Sequence, residues 1–246
     1  ENKLLAIRPS PVLGHFTKSE QFLHIGLDNQ SFDVLIKRVG VTNASAIYIS
    51  FLRVFALTIY NLDLENCDEL RRLLEISKSE KRVSRESVFN KISRIKQLIS
   101  LETGSVFPRS TAEQLIAVIN SIYKSWISPT QKILREVSGR NSEESIPIIL
   151  QEMHSGITGS PVEYFKVKNF DDKTGRSSLK CYRLDNKSNH SSYILINAKE
   201  VNKLFEENSL ENLIRTLTKK VNSPLEVNFL LEGDTLFLIG LNDIEL

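Results

Sequence analysis

The sequence predicts an α+β fold, with a mostly helical first part and a mixed, mainly antiparallel sheet in the second. Three observations carry this. Residues 30 to 137 place apolar side chains three and four apart, the helical period. From residue 146 the texture changes to short β-branched and aromatic runs separated by turn chemistry. The composition is ordinary for a globular chain: 246 residues, 41% hydrophobic, 25% charged, with ten glycines and seven prolines. The predicted division is a helical lobe over 1–145 and a sheet lobe over 146–246.

Taken in order, Leu4–Ile7 reads as a strand that stops near Arg8, because Pro9 and Pro11 cannot donate to a ladder. That strand is expected to join the sheet of the second part. Phe32, Leu35, Ile36 and Val39 predict a helix, and Gly40 is its stop signal. Asn43 is the candidate cap of a helix running through Asn61, with Ile47, Phe51, Val54 and Phe55 on one side. Asp68 caps the next, with Leu70, Leu73, Leu74 and Ile76. Ser84 starts another, whose inner side carries Ile92, Ile95, Leu98 and Ile99 while Lys96 points to water. Lys78, Lys81, Arg82 and Arg85 alternate with Glu80 and Glu86 and read as a solvated face. From Thr111, the stripe Leu115, Val118, Ile119, Ile122, Tyr123 and Trp126 predicts a helix with both aromatics in the core. Pro129 interrupts, a helix resumes to about Val137, and Gly139 is its C-cap. Strands follow at 146–150, 164–168, 179–184 and 192–196, then a helix over 198–221. A hairpin of 225–231 and 236–239 closes the chain around Glu232-Gly233-Asp234.

Charge and cysteine content exclude several classes. A net charge of +2 gives no basic footprint for nucleic acid. Cys67 and Cys181 are too few for a disulfide scaffold or a cysteine-rich zinc site and read as two reduced thiols of a cytoplasmic protein. No run of about 18 apolar residues occurs, so no membrane span is expected. The chain opens at Glu1 without a methionine, which reads as a piece of a longer protein.

The Gly-rich phosphate loops of nucleotide enzymes are absent. The segment Ser155-Gly156-Ile157-Thr158-Gly159-Ser160 is compatible with a phosphate-facing turn or with a plain flexible one. His15, His24, His154 and His190 have no paired spacing, so metal and His-based triad chemistry lack support. In Pro224-Leu225-Glu226-Val227-Asn228-Phe229, alternation puts Glu226 and Asn228 on one strand face. Such a carboxylate and amide suit either Mg²⁺ with a phosphate or a solvated face.

Several ordered motifs resemble a known family. Phe107-Pro108 through Glu113-Gln114-Leu115 is similar to the F-P-x-x-x-x-E-Q-L motif of the nucleotide-binding domain of pyruvate phosphate dikinase and phosphoenolpyruvate synthase. Ser125-Trp126-Ile127-Ser128-Pro129 resembles its S-W-x-x-P-R, Arg135 its Y-R arginine, and Ile148 to Met153 its V-N-V-Q-x-M. Upstream, Leu4 to Ser10 resembles L-L-V-S-V-R-S-G, Leu23 to Asn29 resembles L-N-L-G-L-N-D, and Tyr48, Phe51 and Phe55 fit Y-x-x-F-x-x-x-F. Beyond residue 153 the likeness thins to Pro224-Leu225-Glu226-Val227 for D-I-E-W and Leu236 to Ile239 for L-Y-I-L.

The resemblance implies an ATP-grasp fold and the cofactors ATP and Mg²⁺. It assigns phosphate contact to Arg8 and metal binding to Glu226, the two catalytic candidates. Gln151 and Met153 would lead into the adenine hinge, and Arg135, Lys168 and Asn228 complete the nucleotide contacts. The implied activity is ATP-dependent phosphotransfer, partnered by a phosphohistidine domain or another protein. The family glycine after Arg8 is replaced by Pro9-Ser10, Thr130 and Asn242 stand where arginines would, and Gly240 stands where glutamine would. Lys168 keeps a charge but not a guanidinium fork. Such cations stabilise most of the transition-state charge in phosphoryl transfer. The expectation is therefore a pseudoenzyme-like domain with weak or no turnover, or a catalytically dead interaction module.

Overall fold

The computed structural model describes residues 3–10, 21–75, 84–153, 162–171, 177–185, 192–196, 216–217, 220, 225–232 and 235–243. The chain divides into two compact units, Glu1–His154 and Ser155–Leu246. Its class is α+β, built from helices and two antiparallel sheets.

The first unit has a three-stranded sheet in the order β2-β1-β3, with β1 Leu5–Pro9, β2 Phe22–Ile25 and β3 Ile148–Glu152. The N-terminal strand thus pairs inside its own unit and does not join the second sheet, which corrects the expectation. β3, expected in the sheet lobe, belongs to the first unit because it pairs with β1 from Leu5↔Glu152 to Pro9↔Ile148. Pro9 is tolerated because β2 pairs only with Leu5 and Ile7, leaving the far end of β1 a one-sided edge. The Ser10 N–H then donates to Pro147 O at 2.8 Å.

Among the described residues five α-helices follow: α1 Asn29–Val54, α2 Asp68–Leu74, α3 Arg85–Thr103, α4 Thr111–Trp126 and α5 Pro129–Val137. Asp28 and Ser31 form a capping box at α1, and Ser110 and Glu113 form one at α4. Ser84 caps α3, and Ser128 caps α5 ahead of Pro129. Gly40 breaks α1 with φ 80° and ψ 161°. Asn43 does not cap the following segment; its side-chain amide donates to Val39 O at 3.0 Å and closes the preceding one. Asp68 is the first helical residue of α2 rather than its cap. α1 runs on into a π-helical turn, Phe55–Ile59.

The stretch Asn29–Ile59 is long and apolar enough to cross a membrane by length and composition. Here Tyr48, Phe51, Leu52 and Phe55 from it are buried in the core of the unit. Phe51, Phe55 and Phe107 stack with centroids 4.8 and 5.1 Å apart along the series. α3 contributes Val88, Ile92, Ile95 and Ile99. On α4 the buried stripe is Gln114, Val118, Ile122 and Trp126, one residue every turn. Tyr123, expected in the core, is 43% exposed. Arg85, expected on a solvated face, is exposed and forms a two-pronged pair with Asp33 on α1, at 2.8 and 2.7 Å.

The second unit has a five-stranded sheet in the order β6-β5-β4-β7-β8. Its strands are β4 Val162–Asp171, β5 Ser177–Asp185, β6 Ser192–Ile196, β7 Leu225–Glu232 and β8 Thr235–Asp243. Every pairing described is antiparallel, so the expected mixed character is absent among the described residues. Val167, Val227 and Phe229 are buried. The β7–β8 hairpin forms with Glu232 opposite Thr235. A bulge lies between Asn228↔Gly240 and Phe229↔Leu238, which leaves Ile239 as the extra residue. Of the expected helix over 198–221, residues 216, 217 and 220 are described and helical. The 155–160 segment, Lys78, Lys81, Arg82, His15, His154 and His190 lie outside the described residues.

Candidate functional site

The expected site residues fall in both units. In the first, Arg8 stands opposite Ile149, and Gln151 opposite Ala6. Arg8 and Gln151 are therefore diagonal neighbours on one face of the β1–β3 pair. Both are half-buried, and burial lowers the Arg8 guanidinium below its ordinary value. Met153 extends the ladder, with its N–H donating to Leu4 O at 2.8 Å. Its sulfur accepts the backbone N–H of His24 at 3.0 Å. His24 reaches that position through a left-handed backbone, φ 63°. Burial also lowers the His24 imidazole below its ordinary value.

Arg135 has another role. It is 1% exposed. Nη1 donates to Trp126 O at 2.9 Å, and Nε and Nη2 donate to Ser142 O at 3.2 and 2.6 Å. The guanidinium also stacks 4.2 Å from the Trp126 ring. The Trp126 indole N–H donates to Glu144 O. Arg135 and Trp126 therefore tie the α4–α5 corner to the segment after α5, and no face of that guanidinium is open to a nucleotide.

In the second unit, cross-strand register brings the remaining candidates together. Lys168 stands opposite Glu226, and Lys166 opposite Asn228. The Glu226 row continues to Asn242 on β8 and Lys180 on β5. Glu226 and Asn228 are half-buried while Val227 and Phe229 are buried, so the expected alternation along β7 is realised. Glu226 and Asn228 offer hard oxygen donors of the type Mg²⁺ takes. Mg²⁺ is commonly held by one or two carboxylates with substrate phosphates completing its shell. Among the described residues no three His, Cys, Asp or Glu side chains form a metal cage. Glu226 and Asn228 supply one carboxylate and one amide oxygen, fewer donors than an all-protein magnesium cage needs.

No family model matches this chain. No curated protein matches it either. The site rests on its own residues.

A separate network in the first unit joins Gly26, Gln114, Leu27, Tyr48 and Lys96. The Gly26 N–H donates to Gln114 Oε1 at 2.7 Å, and Gln114 Nε2 donates to Leu27 O at 3.2 Å. Gly26 has φ 98°, and a Cβ there would stand 3.1 Å from Thr111 Oγ1 and 3.3 Å from Lys3 O. Leu27 O also accepts from the Tyr48 hydroxyl at 3.4 Å, and that hydroxyl accepts from Lys96 Nζ at 2.8 Å. Lys96 therefore does not point freely to water. Its ammonium lies 5.0 Å from the Tyr48 ring centre and 5.5 Å from that of Phe107. Burial pulls it below the usual lysine range; Asp28 opposes this and Arg109 adds to it. The signal was in the spacing: Lys96 is four residues after Ile92 and three before Ile99, squarely on the apolar stripe.

Proposed function

We propose that this chain is a divergent ATP-binding domain of the pyruvate phosphate dikinase type, with an ATP-grasp-like fold and weak or no phosphoryl transfer. The observation that carries this reading is the ordered set of motifs from Leu4 to Met153. Three of its residues, Gly26, Leu27 and Gln114, bond to one another across 88 positions. Motif residues that meet in space fit a shared architecture better than chance likeness does.

On this reading Arg8 meets the nucleotide phosphates, and Gln151 and Met153 lie beside the base. Glu226 and Asn228 would hold the magnesium ion, which supplies charge neutralisation at the phosphates. Lys168 adds a point charge opposite Glu226. Arg135 leaves the set, because its donors are spent on Trp126 and Ser142. The replaced glycine, arginines and glutamine leave few groups to stabilise the transition state. Losing one such donor commonly costs on the order of 10²–10³ in rate. Binding with little turnover follows. Calorimetric titration with ATP and Mg²⁺ tests it: heat is expected with a Kd at or below about 1 mM, and its absence at that level sinks the reading.

A specific observation favours a second reading, a catalytically dead interaction module. Ile127, Ile133, Leu134 and Val137 around α5 are exposed, Val137 to 81%. Apolar patches of several hundred Å² mark interaction surfaces. Here a phosphohistidine domain or another cytoplasmic protein would be the partner. A pull-down that captures nothing through α5, while ATP binds, rejects this second reading.

A further inference from the structure

The first unit carries a second polar site that the nucleotide reading leaves unused. An open pocket of about 630 Å³ lies between the start of α1, the middle of α3 and the turn before α4. That size lies within the usual small-ligand range of roughly 300–1,000 Å³. Lys96 and Arg109 both line it, with Asp28 as the one acid. We propose that this pocket binds a small organic phosphate, held by Lys96 and Arg109, with the exposed Val106 side chain against its organic body.

The charge balance argues for an anion. The Asp28 carboxylate already accepts the Ser31 N–H and hydroxyl, both at 2.8 Å. Lys96 gives its one described bond to a neutral hydroxyl, and an ammonium has three donors. Arg109 binds Glu113 through its backbone N–H and makes no ion pair among the described residues. Two cations and one acid line the pocket; Asp28 acts on Lys96 more strongly than Arg109 does, and Glu113, outside the lining, acts on Arg109. A dianionic group between the ammonium and the guanidinium gives both a charged partner in the pocket. A guanidinium fork beside a compact ammonium suits phosphate oxygens. Lys96 is also fixed in advance by the Tyr48 hydroxyl and two rings, so little order is lost on binding. The pocket is larger than a phosphate ion needs, and Val106 gives a ring or chain a place to lie.

The test is an NMR titration of the whole labelled chain with phenyl phosphate, following the amides of Ser93, Gln97 and Arg109. Saturable shifts are expected with a Kd at or below about 1 mM, weakened at least about tenfold in Arg109→Gln and in Lys96→Gln. Glu226→Ala is expected to leave this binding unchanged, which separates it from the nucleotide site. Arg109 is exposed, so its variant keeps the fold even if Lys96→Gln disturbs the core. The proposal is overturned if phenyl phosphate does not saturate, if Arg109→Gln binds like wild type, or if benzoate binds as tightly as phenyl phosphate.

Discussion

Gly26 and Gln114 show how single residues set the local structure. Gly26→Ala places a side chain at φ 98° against Thr111. It is expected to lower stability by at least about 1–2 kcal/mol, the cost of a left-handed backbone, in a urea melt. Gln114→Leu strands the Gly26 N–H and leaves Leu27 O with a single long bond. It is expected to cost about 1–3 kcal/mol per unsatisfied group. Arg135→Ala tests the role the structure gives that residue: stability is expected to fall by roughly 3 kcal/mol, since bonds to charged groups are the strong ones. Affinity for ATP is expected to stay unchanged, and a large loss of affinity with intact stability would contradict the assignment. His24 adds a pH signature. Its folded form disfavours the proton, so below about 6.5, its ordinary value, the unfolded chain binds more protons. Its contribution is thus intact at neutral pH and is lost as pH falls through the window below 6.5. His24→Gln is expected to flatten the dependence of unfolding free energy on pH there.

At the scale of elements, much was legible because local chemistry decided it. Ser84, Pro129, Gly139 and the Glu232–Thr235 hairpin behave as their residue types require. What spacing could not give is which neighbour an element meets. Asn43 reads as an N-cap, yet its amide turns back to Val39 because Gly40 leaves the preceding carbonyls open. Lys96 reads as solvated, because a charge is assigned to water until a hydroxyl and two rings are seen to receive it. Tyr123 fits the stripe by period, but the α4 face that packs is centred on Gln114 and Val118. The candidate site was legible in part. The alternation of Glu226 and Asn228 was in the sequence, whereas Lys168 opposite Glu226 is a product of register. Gly40→Ala is expected to destabilise α1 by about 1–2 kcal/mol through φ alone, since nothing lies within 4 Å of the new Cβ. A larger loss in a urea melt would mean that the break in α1 also holds a contact.

At the scale of the whole molecule, the division of the chain follows strand pairing and not texture. Ile146 to Leu150 looks like the opening of a sheet domain, yet β3 completes the sheet of the helical unit. A chain of residues 1–154 is therefore expected to unfold cooperatively by itself. A chain of residues 1–145 loses the partner of β1 and is expected to be loose or insoluble; circular dichroism melts of both decide this. The proposed nucleotide binding, with Glu226 at the metal, is read from the melting temperature with and without ATP and Mg²⁺, in wild type and Glu226→Ala. A ligand that binds only the folded state adds about 2.7 kcal/mol at a hundredfold excess over its Kd. Wild type is expected to rise and the variant to lose that rise; no rise in wild type, or an equal rise in both proteins, means that the proposed binding through Glu226 does not occur.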